Sequence, residues 1–343
     1  MIIVLKPNIT KKQETAVLKE IEKLGYKPHV MRGVERIVIG AIGDERTHQN
    51  LETLMTWPQV ENVMPVQKRY KLVSREAHPP NTAINVRGNV IGGRQVQIMA
   101  GPCSVESEKV LLKTAEAVAA AGATILRGGA FKPRTSPYEF QGLGEKGLKM
   151  LDKARRETGL AIITELLSES HAELVAEYAD ILQIGTRNAQ NFQLLIAAAR
   201  TGKPILLKRG LSMKIEEWLL AGEYVLSNDN CNLMFCERGV RTFETYTRNT
   251  LDLSTIPIIK KESHCPIVID PSQGAGRADL VSAMCKGAVA MGADALLIEV
   301  HPNPAEAWSD GAQQVTPDVF KTLMQELKPF AEAAGRTMQV SPG

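Results

Sequence analysis

Short apolar runs recur between residue 96 and residue 298, and each is followed by a polar or charged cluster. The runs have the length of buried β-strands, and helical patterns such as residues 107–121 and 146–158 lie between them. They comprise residues 96–100, 123–126, 160–163, 179–184, 204–207, 232–235, 266–269 and 293–298. Eight such strand–helix units predict a closed α/β barrel of the (β/α)8 or TIM type. Because the carboxyl ends of barrel strands meet at one face, we expect the polar clusters to form one pocket.

Residues 1–66 have a different pattern of apolar positions, which predicts the order strand, helix, strand, strand, helix, strand. The predicted strands are residues 2–5, 29–34, 36–42 and 60–66, and the predicted helices are 11–24 and 47–56. Thr10 and Gln13 form a capping-box pattern at the start of the first helix. This βαββαβ order is typical of a small ferredoxin-like domain. With few titratable residues at its strand ends, we expect it to serve regulation or oligomerisation.

Residues 70–81 lose this periodicity and read as a connecting segment. We therefore expect a ferredoxin-like domain over residues 1–75, a linker with one short strand over residues 76–95, and a catalytic barrel over residues 96–343. A chain of 343 residues with 44% apolar composition is long enough for both domains.

Charge and cysteine content exclude several classes of protein. With 41 basic and 38 acidic residues the net charge is +3, so a general nucleic-acid surface is not expected. No apolar run approaches the length of about 18 residues that a membrane-spanning helix needs, and the chain starts directly in a predicted strand. We expect a cytoplasmic protein without membrane association. Five cysteines without a CxxC pair predict reduced thiols.

Cations are concentrated at and just after the predicted strand ends. On a nearly neutral protein, such a set predicts a site for one or two phosphorylated small substrates, with or without a carboxylate group. Any single member could instead be solvated or paired with an acid, which is a less satisfactory explanation for all of them. The set comprises Arg127, Lys132, Arg134, Arg187, Lys208, Arg209 and Arg238.

A second, softer cluster is also expected at this face. A thiolate, carboxylates and an imidazole could together hold a divalent transition metal such as Mn2+, Fe2+, Co2+ or Zn2+. No short spacing identifies the site, however, and Glu299 could simply pair with a cation while Cys103 packs. The candidates are Cys103, Glu299, His301 and Asp310, with Gln273 near them in strand order.

Six motifs together resemble the 3-deoxy-D-arabino-heptulosonate 7-phosphate (DAHP) synthase family, in the class that carries a ferredoxin-like regulatory domain. The resemblance implies the first reaction of the shikimate pathway, in which phosphoenolpyruvate, erythrose 4-phosphate and water give DAHP and phosphate. It also implies an aromatic amino acid as effector and a homotetramer. The motifs are Ala100-Gly-Pro-Cys-Ser104, Leu126-Arg-Gly-Gly-Ala-Phe-Lys-Pro-Arg-Thr-Ser136, Ile184-Gly-Thr-Arg-Asn188, Leu207-Lys-Arg-Gly210, Cys236-Glu-Arg-Gly239 and Ile298-Glu-Val-His-Pro302.

The resemblance also implies roles for individual residues. Arg134 and Thr135 would hold the phosphate of erythrose 4-phosphate. Cys103, Lys132 and Asp310 would be catalytic, with Lys132 and a metal polarising the aldehyde. Phosphoenolpyruvate would be bound by Arg127, Lys132, Arg187, Lys208 and Arg238, with Glu165 behind them. The metal would be held by Cys103, Glu299, Asp310 and the residue at position 273.

Position 273 is where this chain departs from the family pattern, which has histidine in an Asp-Pro-Ser-His motif where this chain has Gln273. The amide or a water could complete the site, His301 could take the vacant position, or activity could be impaired. Two other functions stay open. One is the sibling synthesis of 3-deoxy-octulosonate 8-phosphate, against which the stretch from Lys132 to Ser136 argues. The other is a non-catalytic aromatic amino-acid sensor, against which the retained cations argue.

Overall fold

The structure, a computed structural model, describes residues 1–32, 37–43, 50–64 and 69–340. It divides into two compact units, Met1–Arg69 and Tyr70–Gly343. The boundary predicted near residue 75 thus lies a little inside the second unit.

The first unit contains a four-stranded sheet with the order β2-β3-β1-β4, in which all neighbouring strands are antiparallel. Thr10 caps the helix that follows the first strand, with the predicted reciprocal bonds to Gln13. The unit's core includes the fully buried Ile3, Val17 and Ile39, and its arrangement confirms the ferredoxin-like prediction. Its elements are β1 (Ile2–Leu5), α1 (Lys11–Lys23), β2 (Lys27–Arg32), β3 (Ile37–Ile42) and β4 (Val60–Met64).

Between β3 and β4 the described residues form a 3-10 helix, Leu51–Thr56, where the sequence predicts an α-helix over residues 47–56. The predicted start of that helix lies outside the described residues. So do the predicted end of the 29–34 strand, the first residue of the 36–42 strand and the end of the 60–66 strand. Leu51 and Leu54 are fully buried, so this turn supplies the apolar contact expected of the helix.

The second unit contains eight parallel strands in sequential order, and pairing of the last with the first closes them into a barrel. This confirms the (β/α)8 prediction. The strands are β7 (Gln95–Gly101), β8 (Ile125–Arg127), β9 (Ala161–Leu166), β10 (Ile181–Ile184), β11 (Ile205–Lys208), β12 (Leu233–Glu237), β13 (Ile267–Ile269) and β14 (Ala295–Glu299).

Helices follow the barrel strands and form its outer layer. Residues typical of helix caps mark the two ends of α2. Ser107 caps its start, and Gly122 ends it in a left-handed conformation with φ 104°. The helices are α2 (Glu108–Ala121), α3 (Glu145–Thr158), α4 (Ala172–Tyr178), α5 (Phe192–Arg200), α6 (Ile215–Leu226), α7 (Thr255–Glu262), α8 (Pro271–Ala275), α9 (Ala278–Ala290) and α10 (Pro317–Ala333). None in the described part of the chain is long and apolar enough to cross a bilayer.

Side chains alternate between two apolar cores along each barrel strand. On β9, for example, Ala161 and Ile163 belong to the barrel interior, whereas Ile162 packs toward the helices. The same alternation decides which residue at each strand end points toward the mouth of the barrel. A residue that is in step with an interior position, meaning an even number of residues away from it, points inward, and its neighbour in the chain points outward.

Residues 84–91 close the amino-terminal end of the barrel. The sequence predicts one short strand here, and the structure shows a hairpin of β5 (Ile84–Val86) and β6 (Asn89–Ile91). Ile84, Val86 and Ile91 share a buried apolar cluster with the barrel interior. The sequence prediction lacks the second strand and the tight turn before it, although Gly88, at φ 89°, marks that turn.

The segment predicted as a linker is bound to the barrel. The backbone N–H groups of Leu72 and Val73 donate to the Glu223 carboxylate at 2.8 and 3.0 Å. Thr82 lies 2.6 Å from Nδ1 of His264. Near the end of the described residues, β15 (Thr337–Met338) pairs with the first barrel strand, β7.

Candidate active site

The carboxyl ends of the barrel strands form one polar pocket, as predicted. Six of the seven expected cations line it, together with Thr135, Glu165, Gln273 and Asp310. Three positions follow from the strand alternation: Arg127, Lys208 and Arg238, which end or directly follow β8, β11 and β12, are each two residues after an interior residue of that strand. The cations lining the pocket are Arg127, Lys132, Arg134, Arg187, Lys208 and Arg238.

Arg209 is the expected cation that the pocket does not contain. It is one residue out of step with Lys208 and points to the outer side of the barrel. There its guanidinium donates to the carboxylates of Glu237 at 2.9 Å and Asp252 at 3.0 Å. Arg209 therefore forms ion pairs that support the barrel and does not contribute to the pocket.

Sequence reasoning missed three polar residues at this face. Gln183 and Asp270 are in step with interior positions of β10 and β13, so the alternation rule could have identified them. Gln183 donates to Glu165 at 3.3 Å, and Asp270 accepts from Lys208 at 2.6 Å. Arg248 also lines the pocket. It lies in a loop well beyond β12, where no sequence signal marked it.

Several buried N–H groups of the pocket have no partner among the described residues. They are Nε of Arg127 and one terminal nitrogen each of Arg134 and Arg238. Buried polar groups of folded proteins are nearly always hydrogen-bonded, and an unpaired cationic donor is costly. Burial accordingly lowers the pKa of Arg238. The pocket is thus built to receive anionic oxygens.

Glu299, the last residue of β14, is a fully buried acid that contacts two residues of the pocket. One of its oxygens accepts from Arg127 and from the Gln273 amide, both at 3.0 Å. The other accepts from the Gln313 amide at 2.7 Å. Both carboxylate oxygens are therefore occupied by protein donors.

Cys103 lies between a cation and an acid. Its Sγ is 3.1 Å from Nζ of Lys132 and 3.3 Å from a carboxylate oxygen of Asp310. Burial, followed by the nearby Glu299, raises the pKa of the thiol to about 12, so it carries a proton at neutral pH. Burial alone would lower the pKa of Lys132, but the neighbouring Cys103 and Glu299 leave it above its ordinary value. Lys132 is therefore a cation.

Asp310 faces two further cations across the pocket. Burial by itself would raise its pKa, but Lys132 and Arg248 outweigh this and hold the pKa below the usual value. Arg248 donates to Asp310 at 3.2 Å and to Gln313 at 3.1 Å. Asp310 is thus ionised at neutral pH.

Gln273 lies in the first turn of α8 and joins two of the groups described above. Its Oε1 accepts from Arg238 at 2.7 Å, and its Nε2 donates to Glu299. His301, by contrast, is outside the pocket. Its Nδ1 accepts from the Asn303 backbone and its Nε2 lies 3.3 Å from Glu106. The structure therefore gives no support to His301 as a replacement for the missing histidine.

Glu165, the last residue but one of β9, has its carboxylate close to Gly185. A β-carbon at Gly185 would lie 1.9 Å from an oxygen of Glu165, so only glycine leaves room for this carboxylate. The Ile184-Gly-Thr-Arg stretch thus places Arg187 and accommodates Glu165 at once.

Sequence models of two domain families match the chain. The DAHP synthetase I family matches residues 76–334, and the DAHP synthase ferredoxin-like domain matches residues 1–68. The chain is 50% identical to the phospho-2-dehydro-3-deoxyheptonate aldolase of Thermotoga maritima, over 98% of this chain and 99% of that protein. It is 33% identical to the 2-dehydro-3-deoxyphosphooctonate aldolase of Syntrophotalea carbinolica, over 69% of this chain and 91% of that protein.

Solved structures show the same likeness. A crystal structure of the Thermotoga maritima phospho-2-dehydro-3-deoxyheptonate aldolase (DAHP synthase) superposes with a TM-score of 0.93 at 49% identity, covering 98% of this chain and 99% of that one. A truncated form of the 3-deoxy-D-arabino-heptulosonate 7-phosphate synthase from Thermotoga maritima covers 79% of this chain and 99% of that one, with a TM-score of 0.74 and 48% identity.

Proposed function

Since the chain belongs to the DAHP synthetase I family, we propose that it condenses phosphoenolpyruvate with erythrose 4-phosphate and water to give DAHP and phosphate. The observation that carries the proposal is the convergence of six cations on one pocket, where Arg127, Arg134 and Arg238 each have a buried N–H group without a protein partner. Both substrates are anionic phosphate esters, and only a strongly cationic pocket would hold them side by side.

The phosphoenolpyruvate site is the inner part of the pocket. Arg127 and Arg238 offer unpaired N–H groups there, and forked guanidinium groups suit carboxylate and phosphate oxygens. Gln183 supports the Glu165 carboxylate behind these cations. The residues proposed to bind phosphoenolpyruvate are Arg127, Lys132, Arg187, Lys208 and Arg238, with Glu165 behind them.

The erythrose 4-phosphate site is nearer the mouth. Arg134 is held by Glu139 at 2.9 Å through Nε, which leaves another of its nitrogens unpaired. The Thr135 hydroxyl accepts from Arg187 at 3.3 Å. We assign the sugar phosphate to Arg134 and Thr135, because they lie together beside the cations that would hold the other substrate.

In the proposed reaction, C3 of phosphoenolpyruvate forms a bond to the aldehyde carbon, and the aldehyde oxygen becomes a hydroxyl group. Lys132 donates a proton to that oxygen, since its ammonium group lies in the pocket and is charged at neutral pH. Water adds to C2, and the bond from C2 to the phosphate oxygen breaks. One proton of the water restores Lys132, and the other leaves with the phosphate.

Family membership implies a divalent metal, and the resemblance assigns it to Cys103, Gln273, Glu299 and Asp310. This assignment stays a prediction, and the donor set does not fit it. Among the described residues no three His, Cys, Asp or Glu side chains are grouped as a metal site requires. Gln273 turns its amide nitrogen, which cannot ligate, toward Glu299. We assign no step of the reaction to a metal.

The first unit and the assembly are part of the same proposal. Residues 1–68 match the family's ferredoxin-like domain, so we propose that this unit binds an aromatic amino acid that regulates the enzyme. We also propose a homotetramer. Inhibition by phenylalanine and tyrosine, and the mass of the native protein by light scattering, test these two points.

The reaction itself is tested by following phosphoenolpyruvate consumption and phosphate release with each of two sugars. We expect turnover with erythrose 4-phosphate and none with arabinose 5-phosphate. Turnover with the five-carbon sugar instead would identify the sibling reaction. If neither sugar reacts while an aromatic amino acid still binds, the chain is a sensor, which the change at Gln273 makes the second candidate.

A further inference from the structure

The orientation of the Gln273 side chain is fixed by its two partners. Arg238 can only donate and an ionised Glu299 can only accept, so the amide oxygen must face Arg238 and the amide nitrogen must face Glu299. A reversed amide would place NH2 against a guanidinium and oxygen against a carboxylate. The amide hydrogens therefore face Glu299. The amide oxygen, which is the only atom of this side chain that could bind a metal, faces Arg238.

We propose that Gln273 prevents transition metals from binding at Cys103, Glu299 and Asp310. In place of a metal, hydrogen-bond donors of the protein neutralise the two carboxylates. The inference rests on the proposed function only for the identity of the pocket. It concerns this chain's departure from the histidine of its family.

The partners of Glu299 are the first support. A metal on Glu299 would compete with Arg127, Gln273 and Gln313, because these three together hydrogen-bond both carboxylate oxygens. Glu299 is fully buried, and a donor removed from a buried carboxylate is not replaced by solvent. Displacing Gln273 would also leave Arg238 without its amide partner.

The surroundings of Cys103 and Asp310 are the second support. The thiol lies between the Lys132 ammonium and Asp310, and Arg248 binds the other oxygen of Asp310. A divalent ion here would meet two protein cations at close range, and Coulomb repulsion in a buried site is strong. Imidazole at position 273 would offset this with a strong bond, whereas an amide oxygen is a weaker donor to transition metals.

Metal binding measured without reference to activity tests the proposal. The full-length protein is treated with chelator and dialysed against Co2+, and metal per chain and the thiolate-to-Co2+ charge-transfer band are recorded. We expect no stoichiometric Co2+ and no band in the unmodified protein. Gln273→His should bind about one ion per chain, more than about 100-fold tighter, since even outer partners of metal ligands contribute up to that factor.

Two controls locate the effect. Gln273→Asn keeps an amide and should stay metal-free, and Cys103→Ser in the Gln273→His background should lose the band. Stoichiometric Co2+ with a thiolate band in the unmodified protein would overturn the proposal, as would failure of folded Gln273→His to bind more tightly than the unmodified protein.

Phosphoenolpyruvate consumption with erythrose 4-phosphate, measured on the same samples, separates this proposal from the proposed function. A metal-free protein that turns over supports both. A metal-free protein that is inactive, beside an active Gln273→His variant, supports metal exclusion and refutes the synthase function of the chain as it stands. Tight metal binding with metal-dependent turnover refutes the exclusion alone.

Discussion

Lys208 and Arg209 are neighbours in the chain but point to opposite sides of the barrel wall. Lys208 is in step with the interior residue Leu206 and reaches Asp270 in the pocket. Arg209 is out of step and pairs with Glu237 on the outer side. At the scale of single residues, strand alternation thus decides whether a cation can serve binding or stability.

Replacing Arg209 is therefore expected to affect stability. Arg209→Ala leaves the fully buried Glu237 without its ion-pair partner, and such a loss costs about 3–5 kcal/mol of unfolding free energy. Urea unfolding monitored by circular dichroism measures it. The matched variant Arg187→Ala removes an exposed pocket cation and should change stability by no more than about 0.5 kcal/mol. Equal effects of the two substitutions would contradict the division between binding and structural cations.

Lys132 is expected to affect the rate. Lys132→Met keeps the length of the side chain but removes the proton donor, and the loss of one such group lowers kcat by about 10²–10⁴-fold. Initial rates at saturating concentrations of both substrates, with circular dichroism to confirm folding, provide the measurement. A folded variant with the unmodified kcat would remove Lys132 from the mechanism.

Gly185 links a strand end to the pocket. Gly185→Ala forces a β-carbon into the space of the Glu165 carboxylate, so we expect the variant to have a lower kcat/KM for phosphoenolpyruvate while still folding. Steady-state kinetics at a fixed concentration of erythrose 4-phosphate measures this. The double variant Gly185→Ala with Glu165→Ala relieves the clash. If the glycine acts only by making room for Glu165, the double variant is no worse than Glu165→Ala alone.

At the scale of elements, what the sequence predicts depends on how far apart the interacting residues are. Apolar runs and caps are local, so the barrel strands and α2 are found close to their predicted positions. The docking of Leu72 and Val73 on Glu223 depends on a partner far away in the chain, whereas the low periodicity of this segment by itself predicts a linker. The orientation of Gln273 likewise depends on Arg238, just after β12, and on Glu299, at the end of β14.

The hairpin that closes the barrel offers a test at the same scale. Ile91 is fully buried with the interior cluster, whereas its neighbour Val90 is 37% exposed. Ile91→Ala should lower the unfolding free energy by about 2–5 kcal/mol through lost burial and the cavity left behind. Val90→Ala should cost much less, within about 0.5 kcal/mol. Similar values for both variants in urea unfolding would show that β6 does not seal the interior.

At the scale of the whole molecule, each unit has a core of its own. The apolar cluster of the first unit is drawn from residues 3–63, and those of the second unit begin at Tyr70. All residues of the proposed active site belong to the second unit. The catalysis and the regulation that we propose are therefore placed in different units of the chain.

Removing residues 1–69 tests that separation. Residues 70–343 keep the hairpin, the docked segment and every pocket residue, so we expect a folded barrel that unfolds cooperatively. A truncated form of a related synthase is among the structures that this chain resembles. Turnover should persist, and any inhibition by phenylalanine or tyrosine seen in the full-length protein should disappear. Inhibition that survives the truncation would place the effector site in the barrel, because the second unit is then the only part present to bind it.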